Sequence, residues 1–226
     1  KNSFESLILN SKRTAGIKEA IKSGYDVAVL DDGYQDYSIK KNLNIICFNQ
    51  NQLIGNGLVL PAGPLRESLD SLTNADIIVI NGQRDKNFEN KILKVNSDLK
   101  IFYSKYKAEN LNEFKDKKLF ALAGIGNPEN FFQLIENNNL MLEKKIIFPD
   151  HYKFSKREIQ NIIFEADKNG CEIIMTEKDY FKIKNFNLKN INYLKVSLVV
   201  EGQENLLSMV KEIIWQKLLN IFFSLW

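Results

Sequence analysis

Histidine is nearly missing from this chain: in 226 residues there is one, His151. Imidazole chemistry, such as proton transfer near neutral pH, has to run through that residue. Cysteine is almost as scarce. Cys47 and Cys171 lie far apart, with no CxxC and no Cys/His cluster. Each sits in or beside an apolar run ("NIICFN", "GCEIIM"), so both are expected to be buried, reduced thiols of the kind a cytosolic protein carries. No arginine-rich block and no regular aromatic interleaving accompany the net charge of +3. Nucleic acid is therefore not an expected partner, whereas an anionic ligand or an anionic membrane face fits the excess equally well. No uninterrupted apolar run approaches the length needed to cross a bilayer. What is there is an ordinary folded balance, 44% hydrophobic and 26% charged, which argues against disorder.

Apolar runs alternate with helical patterns. "FESLILN" reads as a strand. "SKRTAGIKEAIKSG" reads as a helix with Ser11 as N-cap and Gly24 as its stop. "DVAVLDD" and "LNIICFN" read as short buried strands, and "QLIGNGLVLPAGPLRES" as a functional loop too broken by Gly and Pro to be one element. "LRESLDSLTN" is expected to be a short helix and "ADIIVING" a strand. "KILKVN" and "KIFYSKYKA" read as two short strands in a polar span. After that the rhythm sharpens, with strands at "KKLFALAG", "LEKKIIFPD", "CEIIMTEKD" and "INYLKVSLVV". Helices are expected at "NPENFFQLIENNN", "SKREIQNIIFEADKNG" and "ENLLSMVKEIIWQKLLNIFF". Ser155 and Glu158 have capping-box spacing. Strand–helix alternation predicts an α/β fold with parallel pairing and ligands at the strand carboxyl ends. The charge-rich stretch "KAENLNEFKDKK" marks a boundary within about 105–118. The expectation is two lobes, 1–112 and 113–226, with a cleft between them.

Several residues could do chemistry. Asp31 and Asp32 end an apolar run, where a pair of hard oxygen donors suits Mg²⁺ beside phosphates. The competing reading is a plain Asp-Gly turn. Tyr34 and Gln35, which a turn does not require, favour the first. His151 follows Phe148-Pro149-Asp150 at a strand end, placed to take a proton from a hydroxyl, or else is a surface residue. Arg66 offers a planar fork for phosphate or carboxylate, or forms an exposed ion pair with Glu67. "AGIGNPE" is too poor in glycine for a dinucleotide signature and reads as a tight strand-to-helix turn. Thr176 with Asp179 reads as a helix cap, with a site role for Lys178 as the lesser alternative. The terminal helix puts Ile214, Trp215, Leu218, Leu219 and Phe222 on one face, for core packing or for a membrane surface.

In this order the segments resemble the tetraacyldisaccharide 4'-kinase family of lipid A biosynthesis. The shared blocks are Asp31–Gln35 (DDGYQ), Gly55–Gly57 with Leu60–Glu67 (GNG…LPAGPLRE), Ala123–Phe132, Phe148–Phe154 and Thr176–Asp179 (TEKD). The resemblance implies transfer of the γ-phosphoryl of ATP to the 4'-hydroxyl of a tetraacylated glucosamine disaccharide 1-phosphate. It implies Asp31 and Asp32 as Mg²⁺ ligands, and His151 as part of an Asp–His pair that deprotonates the sugar. Gln35, Arg66 and Glu67 would lie near substrate or phosphates. It also implies a peripheral protein at the cytoplasmic face of a bacterial inner membrane, with an incomplete P-loop-kinase-like sheet and a smaller Rossmann-like lobe. Two departures stand out. No GxxxxGK[ST] loop occurs in these residues, nor the acid of the Asp–His pair that the resemblance places a little after that loop, and Asp36 stands where many members have histidine. Beginning on Lys1, the chain is expected to be the carboxyl-terminal part of such a kinase and inactive by itself. The rival expectation is a non-catalytic module that binds a lipid head group or a protein.

Overall fold

A computed structural model describes residues 7–223, and side chains within the last helix only as far as Trp215. The chain divides into two compact units. One comprises residues up to Tyr103 together with those from Glu201 on; the other is Ser104–Val200. The boundary expected near 112/113 thus lies inside the second unit, and the final helix belongs to the first.

In the first unit, helix α1 (Arg13–Lys22) is followed by strands β1 (Ile45–Asn49) and β2 (Ile77–Asn81), which pair in parallel with Ile45 opposite Ile77. A short 3-10 helix (Leu69–Asn74), within the expected helix LRESLDSLTN, precedes β2, and helix α2 (Lys86–Leu93), strand β3 (Lys100–Ala108) and the closing helix α6 (Gln203–Phe223) follow it. Ile78 and Ile80 of β2 pack with Phe88 and Ile92 of α2 and with Leu99 and Tyr103 of β3. Here "KILKVN" is not a strand. The Asp85 carboxylate accepts the N–H groups of Asn87 and Phe88 and so starts a helix, whose buried residues Phe88 and Ile92 stand four apart. Helix α1 starts one residue later than Ser11 would cap it and carries no side-chain cap bond, but it does stop at Gly24, whose φ is +81°.

The second unit begins within β3. Its strands β4 (Lys118–Ala123), β5 (Met141–Ile147), β6 (Cys171–Thr176) and β7 (Ile191–Leu194) form a wholly parallel sheet in the order β5-β4-β6-β7. Between them run α3 (Pro128–Asn137), α4 (Lys156–Lys168) and α5 (Glu177–Ile183). The period of two is visible in the packing. Leu119, Ala121 and Ala123 join Phe131, Phe132 and Ile135 of α3 on one face of β4. Phe120 and Leu122 join Ile159 and Ala166 of α4 on the other. "INYLKVSLVV" is two strands rather than one. It breaks at Lys195 into β7 and β8 (Val196–Val200), and β8 pairs antiparallel with Ser104–Ala108. One residue further on, the Glu201 N–H donates to the Tyr103 carbonyl.

Two other expectations need correction. "DVAVLDD" forms no strand: Val27 and Val29 are exposed, and no residue from 25 to 40 lies in a ladder. An apolar run becomes a buried strand only where neighbours cover it, and none of the described residues pairs with this one. Likewise only Cys171 is buried; Cys47 is exposed, because β1 turns Ile46 and Phe48 toward the core and Ile45 and Cys47 away from it. The strand expected in "FESLILN" lies partly outside the described residues, and its described part from Leu7 onward is in no strand. The architecture is α/β, with parallel pairing between β1 and β2 and throughout the β5-β4-β6-β7 sheet, and antiparallel pairing between β3 and β8.

Candidate functional site

The acid pair lies in the first unit, on a loop of successive turns. Asp31 and Asp32 are exposed side by side, with Asp32 in the left-handed region at φ +50°. Gly33 behind them is buried, and a Cβ there would come within 2.7 Å of Leu30 Cβ, so the turn tolerates no side chain. Both carboxylate oxygens of Asp32 accept from Arg66 Nη1, at 2.8 and 2.7 Å. Three residues before Arg66, Gly63 lies tight against Asn56 and the backbone of Leu58. Asn56 Nδ2 donates to the Ala62 carbonyl at 2.8 Å, and the Leu60 N–H to the Leu65 carbonyl at 2.8 Å. The LPAGPLRE excursion is thereby folded upon itself and presents Arg66 and Glu67 to the acid loop. Tyr37 Oη donates to Glu67 at 2.8 Å, and that bond, with loss of solvation and the Glu67 charge, raises the tyrosine pKa. Gln35 sits half-buried in the same loop. Four of the five candidates on this unit are therefore directly linked or adjacent. A small cleft of about 200 Å³ beside the loop is lined by Tyr34, Tyr37, Ile39, Lys41, Asn44 and Asn74. It is smaller than the few hundred Å³ a nucleotide-sized ligand fills.

His151 lies in the second unit, where the carboxyl ends of the parallel strands gather. Its backbone is also left-handed, φ +59°, and its side chain is exposed. Asp150 is its neighbour in space as well as in sequence. The His151 N–H donates to Asp150 Oδ1 at 2.9 Å, and its Nε2 stands 3.7 Å from Oδ2, an electrostatic rather than a hydrogen-bonding distance. Lys178 approaches the same carboxylate at 3.4 Å. Loss of solvation, which pushes the Asp150 carboxyl up, is outweighed by the His151 N–H bond and by the charges of His151 and Lys178, which hold it below the usual carboxylate range.

Beneath these residues is a buried hub. Asp179, fully buried, accepts the Gly124 N–H at 2.7 Å and the Thr176 hydroxyl at 2.8 Å through Oδ2, and Lys182 Nζ at 2.7 Å through Oδ1. The turn after β4 is thus tied to the turn after β6. The Phe148 N–H, donating to the Ala123 carbonyl at 2.8 Å, brings in the end of β5. Gly126 leaves room for Asp150, whose Oδ2 would lie 3.3 Å from a Cβ there. Thr176 and Asp179 do cap α5, as their spacing implies. Their sequence spacing gives no sign that the same carboxylate also reaches Gly124, fifty-five positions away. Nor did the residue pattern bring forward Asp150, though it precedes the lone histidine directly.

Magnesium asks for oxygen ligands and commonly takes only one or two protein carboxylates beside phosphate oxygens. The Asp31 carboxylate is exposed and the Asp32 carboxylate adjoins it, so the donor chemistry fits. Arg66 already neutralises Asp32, and no group of three acidic, histidine or cysteine side chains that could hold a metal occurs among the described residues. No helix among them is long and apolar enough to cross a membrane.

These loops lie within the stretch of the chain that is similar to known proteins. The family model described as tetraacyldisaccharide-1-P 4'-kinase matches residues 2–214. The tetraacyldisaccharide 4'-kinase of Pelagibacter ubique is 40% identical over 203 residues, covering 88% of this chain and 65% of that protein. The kinase of Francisella tularensis subsp. novicida is 32% identical over 206 residues, 85% of this chain and 61% of its own length. Among solved structures, LpxK from Aquifex aeolicus in complex with ATP aligns with a TM-score of 0.60 over 89% of this chain and 62% of that one. At 23% identity it speaks for the fold alone. The chain spans less than two-thirds of the length of these relatives. With nearly every described element inside the family match, the chain belongs to the tetraacyldisaccharide 4'-kinase family.

Proposed function

We propose that this chain carries the metal-binding, substrate-binding and proton-transfer residues of an ATP-dependent lipid kinase. The acceptor would be the 4'-hydroxyl of a tetraacylated glucosamine disaccharide 1-phosphate, a precursor of lipid A. The enzyme would work peripherally at the cytoplasmic face of a bacterial inner membrane. The observation that carries this reading is the clasp between two loops distant in sequence: Arg66 of LPAGPLRE on Asp32 of DDGYQ.

Asp31 and Asp32 would hold Mg²⁺, which when bound neutralises charge on the phosphate oxygens. Arg66, released from Asp32, has its two-pronged donor face free for an anionic oxygen of substrate or nucleotide. Glu67, fixed by Tyr37, and Gln35 border the same surface. His151 accepts the proton of the attacking sugar hydroxyl, and Asp150 beside it stabilises the imidazolium that results. Lys178 limits the negative charge that Asp150 presents to the incoming phosphate-bearing substrate. The protein contributes positioning and charge rather than covalent chemistry.

The test is transfer of labelled γ-phosphate from ATP to the disaccharide by the full-length enzyme and its Asp31→Ala variant, across a Mg²⁺ series. The variant is expected to lose activity or to need far more Mg²⁺. A metal dependence unchanged by the substitution would remove the proposed role. The 226-residue span, which contains no GxxxxGK[ST] loop, is expected to show no turnover by itself.

A further inference from the structure

The acid loop raises an accounting question, because backbone carbonyls that join no ladder still need donors. Between residues 31 and 36 the Asp36 N–H donates to the Gly33 carbonyl at 3.2 Å, and the side-chain donors are two cations. Arg13 Nη2 donates to the carbonyls of Asp31 at 3.2 Å and of Asp32 at 2.9 Å. Lys41 Nζ donates to the carbonyls of Gly33 at 3.2 Å, Tyr34 at 2.9 Å and Asp36 at 2.8 Å. We propose that Arg13 and Lys41 are positioning residues that set the backbone of the Asp31–Asp36 loop and so aim its two acids at a bound cation. The inference rests on the reading of Asp31 and Asp32 as metal ligands. Neither Arg13 nor Lys41 falls in the blocks shared with the family.

Three features set these contacts apart from ordinary surface charge. First, an ammonium has three protons, and here each is matched by a carbonyl of one short loop. A surface lysine would keep its hydration and its rotamer freedom instead. Second, Arg13 opens helix α1, whose first turn holds no acid. A cation at a helix amino terminus opposes the macrodipole, so its placement is unfavourable unless contacts elsewhere offset it. The two carbonyls, and Asp36 Oδ2 at 3.5 Å from Nη1, supply those contacts. Third, Asp36 is itself fixed. The Ser38 hydroxyl donates to Oδ1 at 2.5 Å, and this bond, foremost, holds its carboxyl below the usual range. The loop is thus gripped through five carbonyls without a sheet neighbour among the described residues. Supports of this kind around a ligand set typically alter metal affinity by about 10- to 100-fold when removed.

The experiment measures Mn²⁺ alone, by electron paramagnetic resonance, against the 226-residue chain and its variants. Hydrogen exchange of the peptide spanning residues 31–38 is followed in parallel, and circular dichroism checks folding. Lys41→Met is expected to raise the Mn²⁺ Kd about tenfold and to speed exchange in that peptide, and Lys41→Arg to restore much of both. Arg13→Met provides the second variant if Lys41→Met does not fold, with the same expectations. Asp31→Asn separates the two claims. If it weakens Mn²⁺ binding while Lys41→Met and Arg13→Met leave it unchanged, the positioning role is overturned and the metal role stands. If Asp31→Asn binds Mn²⁺ as the parent does, the metal role falls and this inference falls with it. Faster exchange at unchanged affinity would mean that Lys41 is merely structural, which also overturns the proposal.

Discussion

Asp32 is held twice, through its carboxylate by Arg66 and through its carbonyl by Arg13. The first contact is an exposed ion pair, worth little to folding, so its interest lies in what it reserves. His151 is the opposite case, an exposed side chain with one acidic neighbour. In the full-length enzyme, His151→Ala is expected to lower kcat by about 10²- to 10⁴-fold with little change in the KM for ATP, measured by steady-state kinetics. Equal losses in both would mark a structural role. Asp150 adds a pH prediction. Its folded pKa lies below the unfolded value, so its contribution to stability is present above the unfolded value and is lost as pH falls through the folded one. Urea unfolding at pH 5 and pH 3 is expected to show a smaller acid-induced loss for Asp150→Asn than for the parent. Much of this was legible in the residues themselves: the adjacent acids, the single histidine, the arginine that follows Pro61-Ala62-Gly63-Pro64. Lys41 and Arg13 were not, because a side chain that serves backbone carbonyls leaves no motif.

At the scale of elements, legibility followed local chemistry. Ser155 caps α4, accepting the Glu158 N–H at 3.2 Å, and Ser155→Ala is expected to cost about 1 kcal/mol in chemical denaturation. Gly24 and Gly170 stop their helices in the left-handed region. Strands β2, β4 and β6 were readable because both faces are covered, leaving an apolar run with no polar alternation. "DVAVLDD" has the same pattern without the cover, and pattern alone cannot supply a neighbour. "KILKVN" was misread because its helix begins at Lys86, upstream of the run, behind an Asp85 cap. "INYLKVSLVV" hid a change of sheet at one lysine.

Across the whole molecule, each unit has its own core. Ile78 is fully buried in the first and Phe132 in the second. Scanning calorimetry is expected to resolve two transitions, with Ile78→Ala lowering one and Phe132→Ala, at roughly 3–5 kcal/mol, lowering the other. A single transition moved equally by both would contradict separate cores. Fold class could be reasoned from alternation. The return of α6 to the first unit could not, since it depends on which cluster the last strand leads into.

That return has a consequence of its own. The chain leaves the first unit after Tyr103 and re-enters it at Glu201, and those two residues are joined by a hydrogen bond of 2.8 Å, with Ser104 and Val200 paired beside them. The histidine-bearing unit is thus a guest looped out of its host, with both doorposts adjacent. Removal of residues 104–200, with a short turn joining the doorposts, is expected to leave the register of β1 and β2 unchanged.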